Sequence, residues 1–317
     1  MGVIAADVGG SKTLLGWFPD ATSAVSTRYF DNHDFPDLES ILQQYLDEHP
    51  QISPDTSLCS IAIAGPVRDH RLCRMTNLPW TISADQLQRR FGFTRVTLLN
   101  DLEATAFAMP GQSMSPHLLS LNGKDVNFTR NVAVISVGTG LGEALLQPDP
   151  DRGMRVLPSE GGHKSFAPFD SPSAALLYTA YSAGKSCLSW EDWFSGAGMP
   201  QLFAALFPQD LPLSSADITR QAVATPTSHA AQCIEFFTQG LYAEAGNLAL
   251  QGWCDGGIVL AGGVAQYIQP WLQRPELQAM VSRKSRHAAW LAQLPLALCT
   301  NVHAALQGAA DFGWQSP

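Results

Sequence analysis

One pattern occurs twice in this chain and restricts its fold more than any other feature: an apolar run, a glycine-rich turn and a second apolar run. The first copy spans residues 3–18 with its turn at Gly9-Gly10-Ser11-Lys12, and the second spans residues 132–146 with its turn at Gly138-Thr139-Gly140. Short apolar runs bounded by glycine are typical of buried strands. Glycine also lets backbone amides approach a ligand closely. Each copy therefore predicts a β-hairpin whose turn is a candidate anion site, with an ordinary hairpin as the alternative for either copy alone.

A third glycine pair follows another apolar run late in the chain. Residues 258–261 end at Gly262-Gly263, and a helix is predicted at about residues 266–272. This element is a further candidate for holding a nucleotide base or sugar. Elsewhere strand-like and helix-like segments alternate, which is typical of an α/β fold with helices covering the sheets. The predicted strands are 57–64 and 95–99, and the predicted helices are 35–48, 84–91, 102–108, 229–251 and 304–314.

Length and composition exclude several classes of protein. At roughly 150 residues per domain, the 317 residues suggest two domains. The net charge is −9 without a basic cluster, which argues against a nucleic-acid partner. The apolar runs are too short to cross a bilayer, so we expect no membrane partner. The six scattered cysteines suggest reduced thiols, and the N-terminus lacks the pattern of a secretory signal, so we expect a cytoplasmic protein.

Asn100-Asp101 follows an apolar run and precedes a predicted helix. Because open α/β sheets bind ligands at the carboxyl ends of their strands, an aspartate here is a candidate general base for a substrate hydroxyl. The neighbouring Asn100 is a candidate to hydrogen-bond another hydroxyl. The alternative is that Asp101 is only the N-cap of the helix, a role that aspartate fills well.

Three polar residues in the second half of the chain are further candidates. Glu160 and His163 lie three residues apart in a loop containing Gly161-Gly162, and Glu191 follows in a tryptophan-rich segment. One Glu and one His are too few for a metal site made of protein ligands alone, so hydrogen bonds to a polyol fit better. The alternatives are a buried histidine that fixes its loop and a solvated glutamate in the first turn of a helix.

Taken in order, these motifs resemble those of the bacterial glucokinases, in the hexokinase-like, actin-fold superfamily. The resemblance runs nearly end to end. It rests on the following segments: Asp7-Val8-Gly9-Gly10-Ser11-Lys12, Ala64-Gly65-Pro66-Val67, Met75-Thr76-Asn77-Leu78-Pro79-Trp80, Asn100-Asp101-Leu102-Glu103-Ala104, Gly138-Thr139-Gly140-Leu141-Gly142, Glu160-Gly161-Gly162-His163, and Leu260-Ala261-Gly262-Gly263-Val264. Glu191 aligns with the family through Ser195-Gly196.

The resemblance implies an α/β fold of two ribonuclease H-like, actin-like ATPase domains flanking a central cleft. The linker-like composition of Pro110-Gly111-Gln112-Ser113 predicts the domain boundary there, and the resemblance implies that the C-terminal helix returns to the first domain. The small domain is therefore expected at 1–111 plus about 300–317, and the large domain at 112–299. The implied activity is ATP-dependent phosphorylation of glucose to glucose 6-phosphate, with ATP and Mg²⁺ as cofactors. A homodimer is a further expectation, because dimers are frequent in the family.

The resemblance also assigns roles to individual residues. The general base is Asp101, and Mg²⁺ is expected near Asp7 through water. The sugar-binding residues are Asn100, Glu160, His163, Glu191, Thr76 and Asn77. The nucleotide-binding residues are Asp7, Gly9, Gly10, Ser11, Lys12, Gly138, Thr139, Gly140, Gly262 and Gly263.

Several positions depart from the family pattern. Ser11-Lys12 replaces the usual Thr-Asn and resembles the phosphate loop of N-acetylglucosamine kinases. Ser159 stands where Gly is usual, and Lys164-Ser165-Phe166 stands where Val-Asp-Phe is common. These departures leave open a kinase for another hexose, such as N-acetylglucosamine or mannose. A sugar-sensing protein without catalytic activity is the other alternative, and the retained Asp101 argues against it.

Overall fold

A computed structural model describes residues 2–21, 24–75, 77–151 and 153–315. The strands are β1 (Gly2–Val8), β2 (Lys12–Phe18), β3 (Ser26–Asp31), β4 (Ser57–Ile63), β5 (Val67–Arg68), β6 (Leu72–Arg74), β7 (Thr81–Ser83), β8 (Arg95–Asn100), β9 (Leu118–Ser120), β10 (Val132–Val137), β11 (Leu141–Asp149), β12 (Gly153–Ser159), β13 (Gly257–Ala261) and β14 (Leu296–Cys299).

The α-helices are α1 (Leu38–Glu48), α2 (Ala84–Phe91), α3 (Asp101–Ala108), α4 (Ser171–Ser182), α5 (Met199–Leu206), α6 (Ser215–Ala224), α7 (His229–Gly252), α8 (Gly263–Tyr267), α9 (Gln269–Leu272), α10 (Pro275–Gln278), α11 (Ala288–Leu291) and α12 (Ala304–Gln315). Short 3₁₀ helices occupy Asn32–Asp34, Pro54–Thr56, Ser115–His117, Gly161–His163, Ala279–Ser282 and Ser285–His287. Among the described residues, no helix combines the length and the apolar character needed to span a membrane.

The chain divides into two compact units. The first contains Met1–Pro116, Asp149–Pro158 and His303–Pro317, and the second contains His117–Pro148 and Ser159–Val302. The sequence-based boundary at residues 111–112 lies close to the first of these divisions, whereas the return of Asp149–Pro158 to the first unit has no counterpart in the sequence analysis.

The first unit is built on a five-stranded sheet in the order β3-β2-β1-β4-β8. β1 pairs antiparallel with β2 and parallel with β4, and β4 pairs parallel with β8. Alternate residues of β1 face opposite sides of the sheet, so Ile4 packs in one core and Val3 in another. The first core includes α1 and α2, and the second includes α3 and α12. Both faces of this sheet are therefore covered by helices.

The helix α12 comes very close to α3. A Cβ atom added to Gly308 would lie 1.7 Å from the carbonyl oxygen of Ala104. Only glycine allows this separation, because any side chain at residue 308 would overlap the backbone of α3. The C-terminal helix thereby joins the core of the first unit.

The second unit repeats this arrangement. Its sheet places five strands in the order β11-β10-β13-β14-β9. β10 pairs antiparallel with β11 and parallel with β13, and β13 pairs parallel with β14. The long helix α7 supplies much of its core, through side chains such as Ile234, Phe237 and Leu241. In both units the hairpin with a glycine-rich turn, which the repeated sequence pattern predicts, is followed by two parallel strands.

Two helix predictions need correction. The helix expected over 35–48 begins only at Leu38, because Asp37 caps it by accepting a hydrogen bond from Ser40 N at 2.8 Å. The single helix expected over 266–272 is two helices separated at Ile268. Pro270 lies in the first turn of α9, and without a backbone N–H it cannot extend α8.

The cysteines are all free thiols. Cys187 is exposed, and the other five are buried. Burial disfavours the thiolate and raises the pKa of buried thiols such as Cys59 and Cys233. This distribution agrees with the prediction of reduced thiols.

Candidate functional site

The first glycine-rich turn is held by a residue that the sequence analysis missed. Within the turn, Gly9 N donates to Lys12 O at 2.9 Å. Asn32, which is buried, donates from Nδ2 to Gly9 O at 2.9 Å and from its backbone N to Ser11 O. Thr13 Oγ1 in turn donates to Asn32 Oδ1 at 2.7 Å. The turn is therefore fixed from one side by a buried asparagine, and Lys12 is exposed.

Two carboxylates lie at the carboxyl ends of the parallel strands of the first sheet. Asp7 lies near the end of β1, and Asp101 follows β8; the two strands flank β4, and all three run parallel. The pKa of Asp7 is raised to about 7, first because burial disfavours its charge and second because the negative charge of Asp101 repels it. Two acidic side chains therefore lie close together beside the first turn, and a bound cation or a proton from a substrate would reduce the repulsion between them.

Asn100, and not Asp101, is the N-cap of α3. The Asn100 side-chain oxygen accepts hydrogen bonds from Leu102 N at 2.9 Å and Glu103 N at 3.4 Å, and Glu103 completes a capping box by accepting from Asn100 N. Asn100 Nδ2 donates to Gly65 O at 3.1 Å. The alternative in which Asp101 is only a cap is therefore wrong, and Asp101 occupies the first helical position.

Thr76 and Asn77 are the remaining sugar-binding residues predicted in the first unit, and the structure describes only Asn77. A Cβ atom added to Gly10 would lie 3.2 Å from Asn77 Cβ, so Asn77 lies against the turn. Thr76 lies outside the described residues.

The second glycine-rich turn and the glycine pair after β13 lie together in the second unit. Gly138 N donates to Gly140 O at 3.0 Å, and Gly196 N donates to Gly138 O at 2.8 Å. Gly262 has a φ of +91°, and a Cβ atom there would lie 2.3 Å from Val137 O. Residue 262 must therefore be glycine for the turn and the third element to pack this closely. Thr139 lies within this turn, and Gly263 begins α8.

Glu160, His163 and Glu191 converge beside the second turn. His163 Nε2 lies 3.8 Å from Glu160 Oε2, and His163 Nδ1 lies 3.7 Å from Glu191 Oε1. Glu191 Oε2 accepts a hydrogen bond from Leu141 N at 2.8 Å, and a Cβ atom on Gly140 would lie 2.5 Å from that same oxygen. The structure thus joins three residues that the sequence separates by up to 31 positions, since Glu160 and Glu191 differ by that number.

This cluster rules out two alternatives. The side chain of His163 is 60% exposed, so it is not a buried histidine that fixes its loop. Glu191 lies in a turn and not in the first turn of a helix, and its side chain is mostly buried. Both residues are therefore placed to hydrogen-bond a polar ligand.

The residues present fit a magnesium ion that is bound together with a nucleotide better than they fit a metal site made only of protein ligands. Among the residues that the structure describes, no group of three or more His, Cys, Asp or Glu side chains could hold a metal. Magnesium bound together with a nucleotide needs only one or two carboxylates, because phosphates and water supply its other ligands. Asp7, with Asp101 close enough to repel it, meets that requirement.

Comparisons with known proteins identify the family of this chain. The family described as Glucokinase matches residues 4–316. A glucokinase of Colwellia psychrerythraea is 31% identical over 318 residues, covering 98% of this chain and 95% of the relative. The crystal structure of a glucokinase from an Antarctic psychrotroph has a TM-score of 0.87 at 27% identity, covering 99% of both chains.

A more distant structure shares the fold alone. A ROK family glucokinase from Streptomyces griseus, solved with glucose and AMPPNP, has a TM-score of 0.63 at 22% identity, covering 100% of both chains. The predicted fold class, an actin-like ATPase of two α/β domains, is confirmed by these structural neighbours.

Proposed function

We propose, from the premise that this chain belongs to the glucokinase family, that it transfers the γ-phosphoryl group of ATP to the 6-hydroxyl of glucose. Family membership makes the chain a hexose kinase that uses ATP, and glucose as the sugar is the finer statement that we add. The observation that carries the proposal is the pair of carboxylates, Asp7 and Asp101, at the edge of the first sheet beside a glycine-rich turn.

Asp101 is the proposed general base. Its carboxylate accepts the proton of the sugar hydroxyl as the hydroxyl oxygen bonds to the γ-phosphorus, while the bond from that phosphorus to the bridging oxygen breaks and ADP leaves. The first position of α3 suits this role, because the Asn100 cap and the bond from Asn100 Nδ2 to Gly65 O fix the start of the helix.

The nucleotide is proposed to bind through backbone amides and a metal ion. The N–H groups of Gly9 and Gly138 already donate within their own turns, so the amides of residues 10–11 and 139–140 are the proposed donors for phosphate oxygens. Lys12, which is exposed, adds a positive charge at the first turn. Gly262 and Gly263 are proposed to lie against the nucleoside. Mg²⁺ held near Asp7 through water would neutralise phosphate charge when bound.

Sugar recognition is assigned to hydrogen-bonding side chains. The cluster of Glu160, His163 and Glu191 is the main candidate, because its members converge and each side chain keeps part of its surface exposed. Asn100, which has a second hydrogen on Nδ2, and the pair Thr76 and Asn77 complete the proposed set. Sites that hydrogen-bond a hydroxyl reject analogues lacking it by about 10⁴–10⁵-fold.

The test is the variant Asp101→Asn, which keeps the size of the side chain and removes the base. We expect kcat to fall by about 10²–10⁴-fold, the usual contribution of a general base. Glucose affinity, measured by calorimetry, should change by less than about threefold, since proton transfer contributes to the transition state and not to ground-state binding. The exposed Asp47→Asn in α1 is the matched control. A kcat near that of the wild type would exclude Asp101 as the base.

A panel of sugars tests the choice of glucose. Coupled assays with glucose, mannose and N-acetylglucosamine at equal concentrations give three values of kcat/KM. The proposal requires the largest value for glucose. A larger value for either other sugar would identify a kinase for that hexose, and no turnover with any sugar would favour the sensing alternative.

A further inference from the structure

Two glutamates of the second unit are completely buried, and a single lysine lies between them. Glu143 in β11 and Glu244 in α7 are 0% and 1% exposed. Lys164 Nζ donates to Glu143 Oε2 at 2.8 Å and lies 2.6 Å from Glu244 Oε1. We call these three residues the triad; its carboxylates are buried, and the lysine side chain is 38% exposed. Burying a charged side chain is costly unless it is paired, so the lysine is what makes two interior carboxylates tolerable.

The charges of the triad do not balance. One ammonium faces two carboxyl groups, and burial together with the nearby charge of Glu244 raises the pKa of Glu143 to about 7. Glu143 Oε1 is buried without a hydrogen-bond partner among the described residues. On the other side, Glu244 Oε2 accepts from Asn247 Nδ2 at 2.7 Å, and Lys284 Nζ donates to Asn247 Oδ1 at 2.6 Å. Removing Lys164 would therefore leave Glu143 without a cation among the residues that the structure describes.

The triad lies directly beneath the loop that carries Glu160 and His163. We call residues 159–164 the sugar loop. A Cβ atom on Gly161 would lie 2.1 Å from Glu143 Oε2, so the backbone of the loop rests on this carboxylate. Ser159 Oγ donates to Glu143 O at 2.9 Å and accepts from Gly161 N at 3.2 Å. Strand β11 thus supports the loop both through its backbone and through the Glu143 side chain.

Lys164 also connects the loop to Glu191. Trp190 N donates to Lys164 O at 3.1 Å, and Glu191 N donates to Gly162 O at 2.9 Å. The lysine immediately follows His163, so its side chain anchors one end of the loop while its backbone meets the segment that carries Glu191. Glu160 therefore precedes a residue that rests on Glu143, and His163 precedes Lys164. Glu191 is joined to the loop through its own backbone N–H.

We propose that Lys164 is a positioning residue, which fixes the sugar loop on β11 through the two buried carboxylates and thereby sets the affinity for the sugar. The statement about the sugar rests on the proposed function; the statement about the loop does not. Lys164 stands where the family resemblance has valine, and a valine could not neutralise Glu143 and Glu244. Apolar groups of similar volume are often as stabilising as a buried ion pair, which makes stability alone a poor reason for the triad.

The first test compares two variants. Lys164→Met removes the cation that both carboxylates share, so it is expected to destabilise the protein as well as free the loop. The double variant Glu143→Gln with Lys164→Met is measured at pH 8, where Glu143 is mostly ionised. It then removes one charge of each sign and keeps the net charge of the triad nearly unchanged, which limits the loss of stability. Lys185→Met, at an exposed lysine of the same unit, is the matched control.

We expect the sugar KM of the double variant to rise by between about 10-fold and about 100-fold, the scale of small misplacements of binding groups. The ATP KM and kcat should change by less than about threefold, because neither the phosphate turns nor the base is altered. Hydrogen exchange measured by mass spectrometry should be faster in peptides covering residues 159–166 and unchanged in peptides covering β1.

A folded double variant with wild-type exchange in the loop, or with a wild-type sugar KM, would overturn the proposal. A purely structural triad would give that result, since a variant that keeps the net charge and folds would leave the loop in its wild-type position. If the wild-type protein phosphorylates no sugar in the panel, the proposed function fails, and the exchange measurement still decides whether Lys164 fixes the loop.

Discussion

Asp7 should make the protein less stable as the pH rises, and Asp7→Asn should remove this effect. The pKa of Asp7 is about 7 in the folded protein, against 3.8 for an unperturbed aspartate. Below pH 3.8 both the folded and unfolded states hold the proton. Between pH 3.8 and 7 the folded state keeps a proton that the unfolded chain releases, so each pH unit costs about 1.4 kcal/mol of unfolding free energy. Above about pH 7 the accumulated loss is about 4 kcal/mol and stays constant.

The assay is urea unfolding of the wild type and Asp7→Asn at pH 4 and pH 8. At pH 4 the two proteins should have similar unfolding free energies. At pH 8 the variant should be more stable by up to about 4 kcal/mol, because an amide at residue 7 has no charge to bury. The same variant should raise the KM for Mg·ATP, so stability is gained where function is lost. The exposed Asp34→Asn is the control. An equal pH dependence in the wild type and Asp7→Asn would refute the reasoning.

Two further substitutions test packing that the structure shows. Gly308→Ala should lower the unfolding free energy by at least about 1–3 kcal/mol in chemical denaturation, because its methyl group would overlap the Ala104 carbonyl; an unchanged midpoint would contradict that contact. Asn32→Ala should cost about 1–3 kcal/mol by leaving Thr13 and the first turn without buried partners, and should raise the ATP KM in steady-state assays, whereas an unchanged KM would separate Asn32 from the turn's function.

The repeated hairpins and the position of Asp101 could be predicted because their signals are local. A glycine-rich turn between two apolar runs identifies a hairpin within about 15 residues, and the order of strand and helix around Asn100-Asp101 is visible in the sequence. Local pattern could not decide which of those two neighbours caps α3, because asparagine and aspartate are equally suited to the role. The hydrogen bonds to Leu102 and Glu103 decide it.

The supporting residues could not be predicted because their partners are distant in sequence. Asn32 is a single asparagine whose role depends on strands β1 and β2 being folded. Glu143 interrupts an apolar strand, which is a signal that could have drawn attention, but nothing local pairs it with Lys164 or Glu244. The break at Ile268 was foreseeable from Pro270. The domain limits and the roles of individual site residues stay predictions.

The distribution of thiols makes this chain convenient for spectroscopy without mutagenesis. Cys187 is exposed, whereas the other five cysteines are buried, and burial suppresses thiolate formation. A maleimide dye would therefore attach at one place, four residues before Glu191. A fluorescent reporter can therefore be attached to the native protein at Cys187, close in sequence to a residue assigned to sugar binding.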